Sequence, residues 1–442
     1  MRGTGWIQRL RARWNRWRSS LWFVPASMVM AAFVSAIGMI QLSAYVPREL
    51  LIRFPRLFGA DAQSSRSMLS TIAGAMATIA GVTFSITVVA VAQASSQYTS
   101  RILRNFLSDR PSQVTLGMLA GTFVYCLVLI RTIRGDADLL FIPGLGILVA
   151  FVLAIASIGF LVYFIHHIAE SLQASQVLAR VRRETIAVID KCYPHLDTAE
   201  LPPRRAIAAD DAMHWRWTNS VSSGYLQHFD STALIAWACE RNVVVRLAYR
   251  IGDFVVEGTP MLAFATDQAS AVDGERALTD ACSIGAYRTI DDDASFGIQQ
   301  VVDIANKALS PGINDATTAV TAIDTLSAIL VRLGPRRTEP TVRVVEGVER
   351  LFAPTRSYQE LLGISLDQLR RSASANVGVS IHLLDAIARV SAHTPSLERR
   401  ALLAASADLL REAAIDCAAV AADGAAIDAA YARVRSIATL HP

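Results

Sequence analysis

The chain has 442 residues, 52% of them hydrophobic, and a formal net charge of +4. The length admits a membrane domain with one or two soluble domains behind it. The modest charge, with no aromatic-studded basic stripe, excludes nucleic acid as a partner, and no Ser-His-Asp, Cys-His, zinc or phosphate-loop pattern marks an enzyme.

Read from the N-terminus, the first feature is a basic run. Arg2, Arg9, Arg11, Arg13, Arg16 and Arg18 precede the first apolar stretch with no acidic residue among them. Four long apolar stretches follow, at about 22–46, 68–94, 112–130 and 141–165, and none contains Asp, Glu, Lys or Arg. Roughly 20 apolar residues cross a hydrocarbon core, so the pattern predicts four transmembrane helices. The first stretch is too long for a signal peptide and reads as an anchor, with Trp14, Trp17 and Trp22 at the interface. The positive-inside tendency places both termini in the cytoplasm. Arg101, Arg104, Arg110, Arg180, Arg182 and Arg183 agree with that orientation, whereas Arg48, Arg53, Arg56 and Arg66 in the first outer loop oppose it. Uncharged spans count against a proton-coupled pump and leave a channel open.

The second stretch is rich in small and hydroxyl residues. Gly74, Thr78, Gly81 and Ser85 fall on one side of a helix, which reads either as a close-packing face or as a pore-facing one in a homo-oligomer. The segment after it is amphipathic, with Ile102, Leu103, Phe106 and Leu107 opposite Arg101, Arg104 and Arg110. It suits an inner membrane surface or a docked cytosolic helix. If span two lines a pore, Arg101 and Arg104 form a cationic inner mouth that favours anions. Span four continues without a breaker into YFIHHIAESLQASQVLARVRRET, which predicts one continuous helix leaving the membrane. His166 and Glu170 share a face there, but two candidate ligands are fewer than a metal site needs.

Pro194, Pro202 and Pro203 mark residues 192–220 as a linker. From Ser222 the composition turns to short strands around the helical piece STALIAWACER. IGDFVVEGTPML resembles the glycine turns of barrel-sandwich carrier domains, so a small β-barrel-like subdomain is expected. No lysine lies between Lys191 and Lys307, which excludes a swinging carrier arm. Residues 271–340 read as helix, loop, helix, tight turn, helix. The turn SPGIND is either a stop-and-cap device, with Asn314 or Asp315 as the cap, or one wall of an anion pocket. Arg288, Thr289 and Asp292 would form the other wall. Beyond residue 341 the sequence predicts a hairpin and three or four amphipathic helices. The five cysteines have no metal or redox spacing, and no disulfide, metal or cofactor is expected.

Several blocks together resemble a family of bacterial predicted membrane proteins, domain of unknown function 2254. They are TIAGAMATIAGVTFSITVVAVAQASSQYTSRILRNFLSDR, VYFIHHIA, SSGYLQHFD, GDFVVEGTP and RTIDDDASFGIQQVVDIANKALSPGINDATTA. Ala316 stands where that family usually has proline after Asn-Asp. The resemblance implies an inner-membrane protein and brings no activity with it.

The expected organisation is an α-helical membrane domain over 1–170, a helical extension and linker over 171–220, a β-rich subdomain over 221–270 and a mainly helical cytosolic domain over 271–442. The expected function is an oligomeric channel with a cytosolic regulatory domain; the alternative is a membrane-anchored sensor or scaffold. The expected partners are the lipid bilayer, further copies of the chain and a small anion or ion.

Overall fold

The computed structural model describes residues 22–45, 62–97, 109–133, 142–171, 173–196, 214–266, 275–338 and 341–439. The chain divides into two compact units, Met1–Gln173 and Ala174–Pro442.

Among its described residues the first unit holds four helices: α1 Phe23–Ala44, α2 Ala62–Gln97, α3 Arg110–Thr132 and α4 Gly144–Ser171. They match the four apolar stretches, and α2 runs several residues past the expected span at each end. α3 is the centre of the bundle and packs against α1, α2 and α4. The core between them holds Leu69, Ala73, Tyr125, Cys126, Leu129 and Ile147. The outward surface is also apolar, with Val34, Phe84, Val89, Phe151, Ile155 and Val162 all exposed. A helix apolar on every side belongs in a protein core or a bilayer. Among the described residues, five helices are long and apolar enough to cross a membrane, the fifth being Ala316–Leu333.

The second unit opens with α5 Ala174–Cys192, so the continuous helix expected after the fourth stretch is interrupted between Ser171 and Ala174. At the break the Gln173 amide donates to the Glu170 carbonyl in a short turn. Strands and helices then alternate: β1 His214–Asn219, β2 Gly224–Phe229, α6 Ser231–Arg241, β3 Val244–Leu247, β4 Phe254–Val255, β5 Pro260–Thr266, α7 Glu275–Asp280 and β6 Cys282–Gly285. Next come α8 Ala294–Ala308, α9 Ala316–Leu333, β7 Thr341–Val345, β8 Val348–Ala353, α10 Tyr358–Ala373, α11 Val377–Ala392, α12 Leu397–Asp416 and α13 Ala421–Thr439.

These strands do not close into the expected barrel. They form an open five-stranded sheet, ordered β1-β5-β3-β8-β7, and a three-stranded sheet, ordered β4-β2-β6. β8 pairs in parallel with β3, so the hairpin at 341–353 extends the sheet begun by β1, β3 and β5. β1 lies in the segment read as linker. Its register against β5, from His214 opposite Thr266 to Thr218 opposite Leu262, makes it an edge strand. Trp237 of α6 meets Phe264 edge-on over this sheet, in a core with Leu234, Val245, Leu262 and Leu351.

The helical part is built around α8 and α9. Each of them packs on the other and on α5, and α9 also packs on α11. Helix starts are fixed by side chains that accept from free backbone amides: Asp230 before α6, Asp293 before α8, Asp315 before α9 and Asn376 before α11. Ser357 and Glu360 form a reciprocal capping box at α10.

Candidate functional site

Two features carry functional groups, one in each unit. In the membrane unit it is α2, which has two seams with heptad spacing on nearly opposite sides. The inner seam is Leu69, Ala73, Met76, Ala80, Thr83, Thr87 and Ala90, all buried or half-buried. The outer seam is Thr71, Gly74, Thr78, Gly81, Ser85 and Val88, all exposed. Both alternate steps of three and four residues, the spacing of a seam that receives another helix. With ~100° per residue, Leu69 and Thr71 are about 200° apart. The four residues expected to form one face therefore do so, and nothing among the described residues of one copy covers them.

The glycines sharpen this contrast. A Cβ at Gly117 would stand 2.7 Å from the Met28 sulfur and 3.1 Å from the Pro25 Cα. One at Gly121 would meet Ala32 at 3.3 Å, and one at Gly146 would meet Leu129 at 2.8 Å. These glycines let helices approach within the bundle. A Cβ at Gly74 or Gly81 would meet nothing within 4 Å. Along the outer seam the hydroxyls of Thr71, Thr78 and Ser85 donate to the carbonyls of Ser67, Gly74 and Gly81 at 2.9–3.0 Å. With their protons bonded back to the helix, these oxygens offer acceptor lone pairs to a neighbour. The inner-mouth candidates Arg101 and Arg104 lie outside the described residues.

Polar contacts tie α3 to α4. The Thr122 and Ser157 hydroxyls are 3.0 Å apart in a buried setting, and Tyr125 donates to the Gly146 carbonyl at 3.2 Å. At one end His167 Nε2 lies 2.9 Å from Asp109, which also caps α3 through the Ser112 amide. His167, rather than the His166 singled out in the sequence, therefore makes the interhelical contact. His166 stands on an exposed face, 3.4 Å from Glu170. Arg66, counted above with the outer-loop charges, belongs to α2 and donates to the Ile133 carbonyl at the end of α3 at 2.6 Å.

In the second unit the chemistry gathers in a cleft of about 260 Å³. Lys191 and Tyr193 come from the end of α5, His228 and Phe229 from β2, and Arg250 and Ile251 from the turn after β3. Asp292, Asp293 and Ser295 come from the start of α8, Arg343 from β7, and Leu351, Ala353 and Arg356 from β8 and beyond. Asp292 is the centre of one ion cluster, with Lys191 Nζ at 2.6 Å and His228 Nδ1 at 2.5 Å. The bond and charge of Asp292 raise the Lys191 pKa. Asp293 is buried and more fully engaged. It accepts from Arg288 Nε and Nη2 at 3.0 and 2.6 Å, from the Ser295 hydroxyl at 2.6 Å and from the Phe296 amide at 3.1 Å. Arg288 also lies 5.0 Å over the Phe296 ring. Gly252, at φ 89°, packs on this pair so closely that a Cβ would collide with the Asp293 carboxylate. Arg356 binds Asp253 at 2.8 Å and Ser295 at 3.0 Å, and Arg250 binds Glu360 at 2.6 Å. Among the described residues Arg343 has no such partner.

Of the predicted residues, the structure brings Asp292 to the wall of this cleft and sets Arg288 behind it, bonded to Asp293, with Thr289, half-buried, next to Arg288 in the chain. It does not bring Asn314 and Asp315 there. The 15 residues of α8 separate the two groups, about 22 Å along the helix axis. Asp315 caps α9, accepting from the Thr318 amide at 3.0 Å and hydroxyl at 2.5 Å. Those two bonds hold its carboxyl below the usual range. Asn314 takes the left-handed conformation, φ 48°, that closes the turn. Sequence reading missed Lys191 and His228 as partners of Asp292, and Arg250, Arg343 and Arg356 as further residues of its cleft, because they come from separate segments with no shared motif. Among the described residues no cluster of three or more His, Cys, Asp or Glu could hold a metal ion.

The family model described as a predicted membrane protein of unknown function matches residues 18–389. The chain belongs to this family. It is 30% identical over 448 residues to uncharacterised proteins from two strains of Mycobacterium tuberculosis and from Mycobacterium bovis, covering 98% of this chain and 84% of each relative. No solved structure matches it. Family membership and the four apolar helices of the first unit make this a multi-pass membrane protein.

Proposed function

We propose that this protein is an oligomeric inner-membrane channel with a cytosolic regulatory domain. In this reading α1 to α4 cross the bilayer, both termini are cytoplasmic, and α9 is a core helix of the soluble unit. Buried residues on α9, from Ala319 to Leu333, and its packing on α5, α8 and α11 support that last assignment. The carrying observation is the outer seam of α2. It has the spacing and small side chains of a helix contact, and the described residues of a single copy leave it uncovered. Copies related by a symmetry axis bring Thr78 and Ser85 toward that axis, where hydroxyl oxygens line an uncharged path. No residue is assigned a catalytic role, and no cofactor is required.

Purified protein in planar bilayers tests this. It should give discrete conductance steps, and Thr78→Leu and Ser85→Leu should lower the unitary conductance. A well-folded oligomer with no conductance under any applied voltage contradicts the channel. It would favour the second reading, a membrane-anchored sensor, which rests on the cleft in the soluble unit.

A further inference from the structure

We infer that the cleft in the soluble unit binds a small organic anion, a molecule with one phosphate or carboxylate group on an apolar body. The inference does not depend on conduction. The two carboxylates that line the cleft are already committed, Asp292 to Lys191 and His228 and Asp293 to four donors. Neither is left to attract a cation. Of the guanidinium groups on the wall, Arg250 and Arg356 are paired with carboxylates, and among the described residues Arg343 has no such pair.

A guanidinium is always charged and presents parallel donors that match the oxygens of a phosphate or carboxylate. Arg343 sits on β7, the edge strand of the five-stranded sheet, directly opposite Leu351. Leu351, Ile251 and Pro354 give the same cleft an apolar wall. A ligand seated here meets one uncommitted positive charge and a greasy surface beside it. Cavities for drug-sized ligands run from roughly 300 to 1,000 Å³. At about 260 Å³ this one takes a smaller molecule and has no room for a two-chain lipid.

Full-length protein in zwitterionic nanodiscs, which carry no anionic headgroup to compete, tests the assignment by titration calorimetry. The probes are phenyl phosphate, benzoate and the neutral benzyl alcohol. Phenyl phosphate and benzoate should bind saturably at one site per chain, and benzyl alcohol should not. Arg343→Gln should weaken phenyl phosphate by about tenfold or more, the scale of a lost hydrogen bond to a charged group. Arg343→Lys should recover part of that loss. Arg411→Gln, a change at an exposed pair with Asp428, should bind like the parent. Arg343 is exposed on an edge strand, so its substitution should leave the unfolding midpoint in place. Equal binding of phenyl phosphate to the parent and the Gln variant would overturn the assignment, as would saturable binding of benzyl alcohol or no binding by either anion.

Discussion

Gly297 of α8 lies directly against Thr185 of α5, and a Cβ on the glycine would collide with the threonine hydroxyl. Thr185 is itself fully buried and turns that hydroxyl back to the Val181 carbonyl at 2.7 Å. The contact fixes how closely α5 approaches α8, and so where Lys191 at the end of α5 meets Asp292 at the start of α8. Gly297→Ala is expected to lower the stability of the second unit by about 1–3 kcal/mol, the usual cost of overpacking. The double change Gly297→Ala with Thr185→Ala should recover part of it. Thermal unfolding of the parent, the two single variants and the double variant measures both effects.

Asp190 controls a second joint. It binds Arg332 through two bonds of 2.6 and 2.9 Å and also binds Arg336, whose guanidinium is buried. The hydrogen bond and charge of Arg332, with the charge of Arg336, hold the Asp190 carboxyl below its ordinary value of 3.8. Its contribution to stability is therefore complete above the ordinary carboxylate range. It is lost as pH falls through the depressed value. Asp190→Asn should cost about 1–3 kcal/mol at neutral pH, since Arg336 is left without its anion. The variant's unfolding midpoint should also change less than the parent's as pH is lowered below 4.

Glycines in the membrane unit divide into two classes by their neighbours. Gly146→Ala pushes a methyl group against Leu129, and Gly117→Ala pushes one against Met28 and the Pro25 backbone. Gly74→Ala and Gly81→Ala meet nothing within 4 Å among the described residues of one copy. In detergent that keeps the chain monomeric, the first pair should lower the unfolding midpoint. The second pair should leave it unchanged or raise it slightly, because alanine is the better helix former. In the bilayer the second pair should instead weaken self-association.

The four apolar helices were legible because uncharged stretches of this length have few other homes. Asp315 as a helix cap was legible too, because its side chain acts on an amide three residues away. Contacts that span the chain were not. Arg343 and Asp292 come to one cleft through a parallel pairing of β3 with β8, which leaves no local pattern. β1 was hidden in a segment where prolines dominate the composition, and β6 was too short, at four residues, to show alternation. The interruption after Ser171 carries neither glycine nor proline. The choice of His167 over His166 depends on which side of α4 meets α3, and spacing along one helix does not reveal that.

The uncovered seam of α2 is the centre of this account, and cysteine cross-linking in native membranes tests it most directly. In a background with the five native cysteines replaced, Gly81→Cys lies on the outer seam, and Ile86→Cys lies off it, about 100° round the helix from Ser85. Mild oxidation should convert the Gly81→Cys protein to a disulfide-linked dimer and leave the Ile86→Cys protein monomeric. Equal cross-linking of the two, or none at Gly81→Cys, would contradict the claim that a second copy covers this seam.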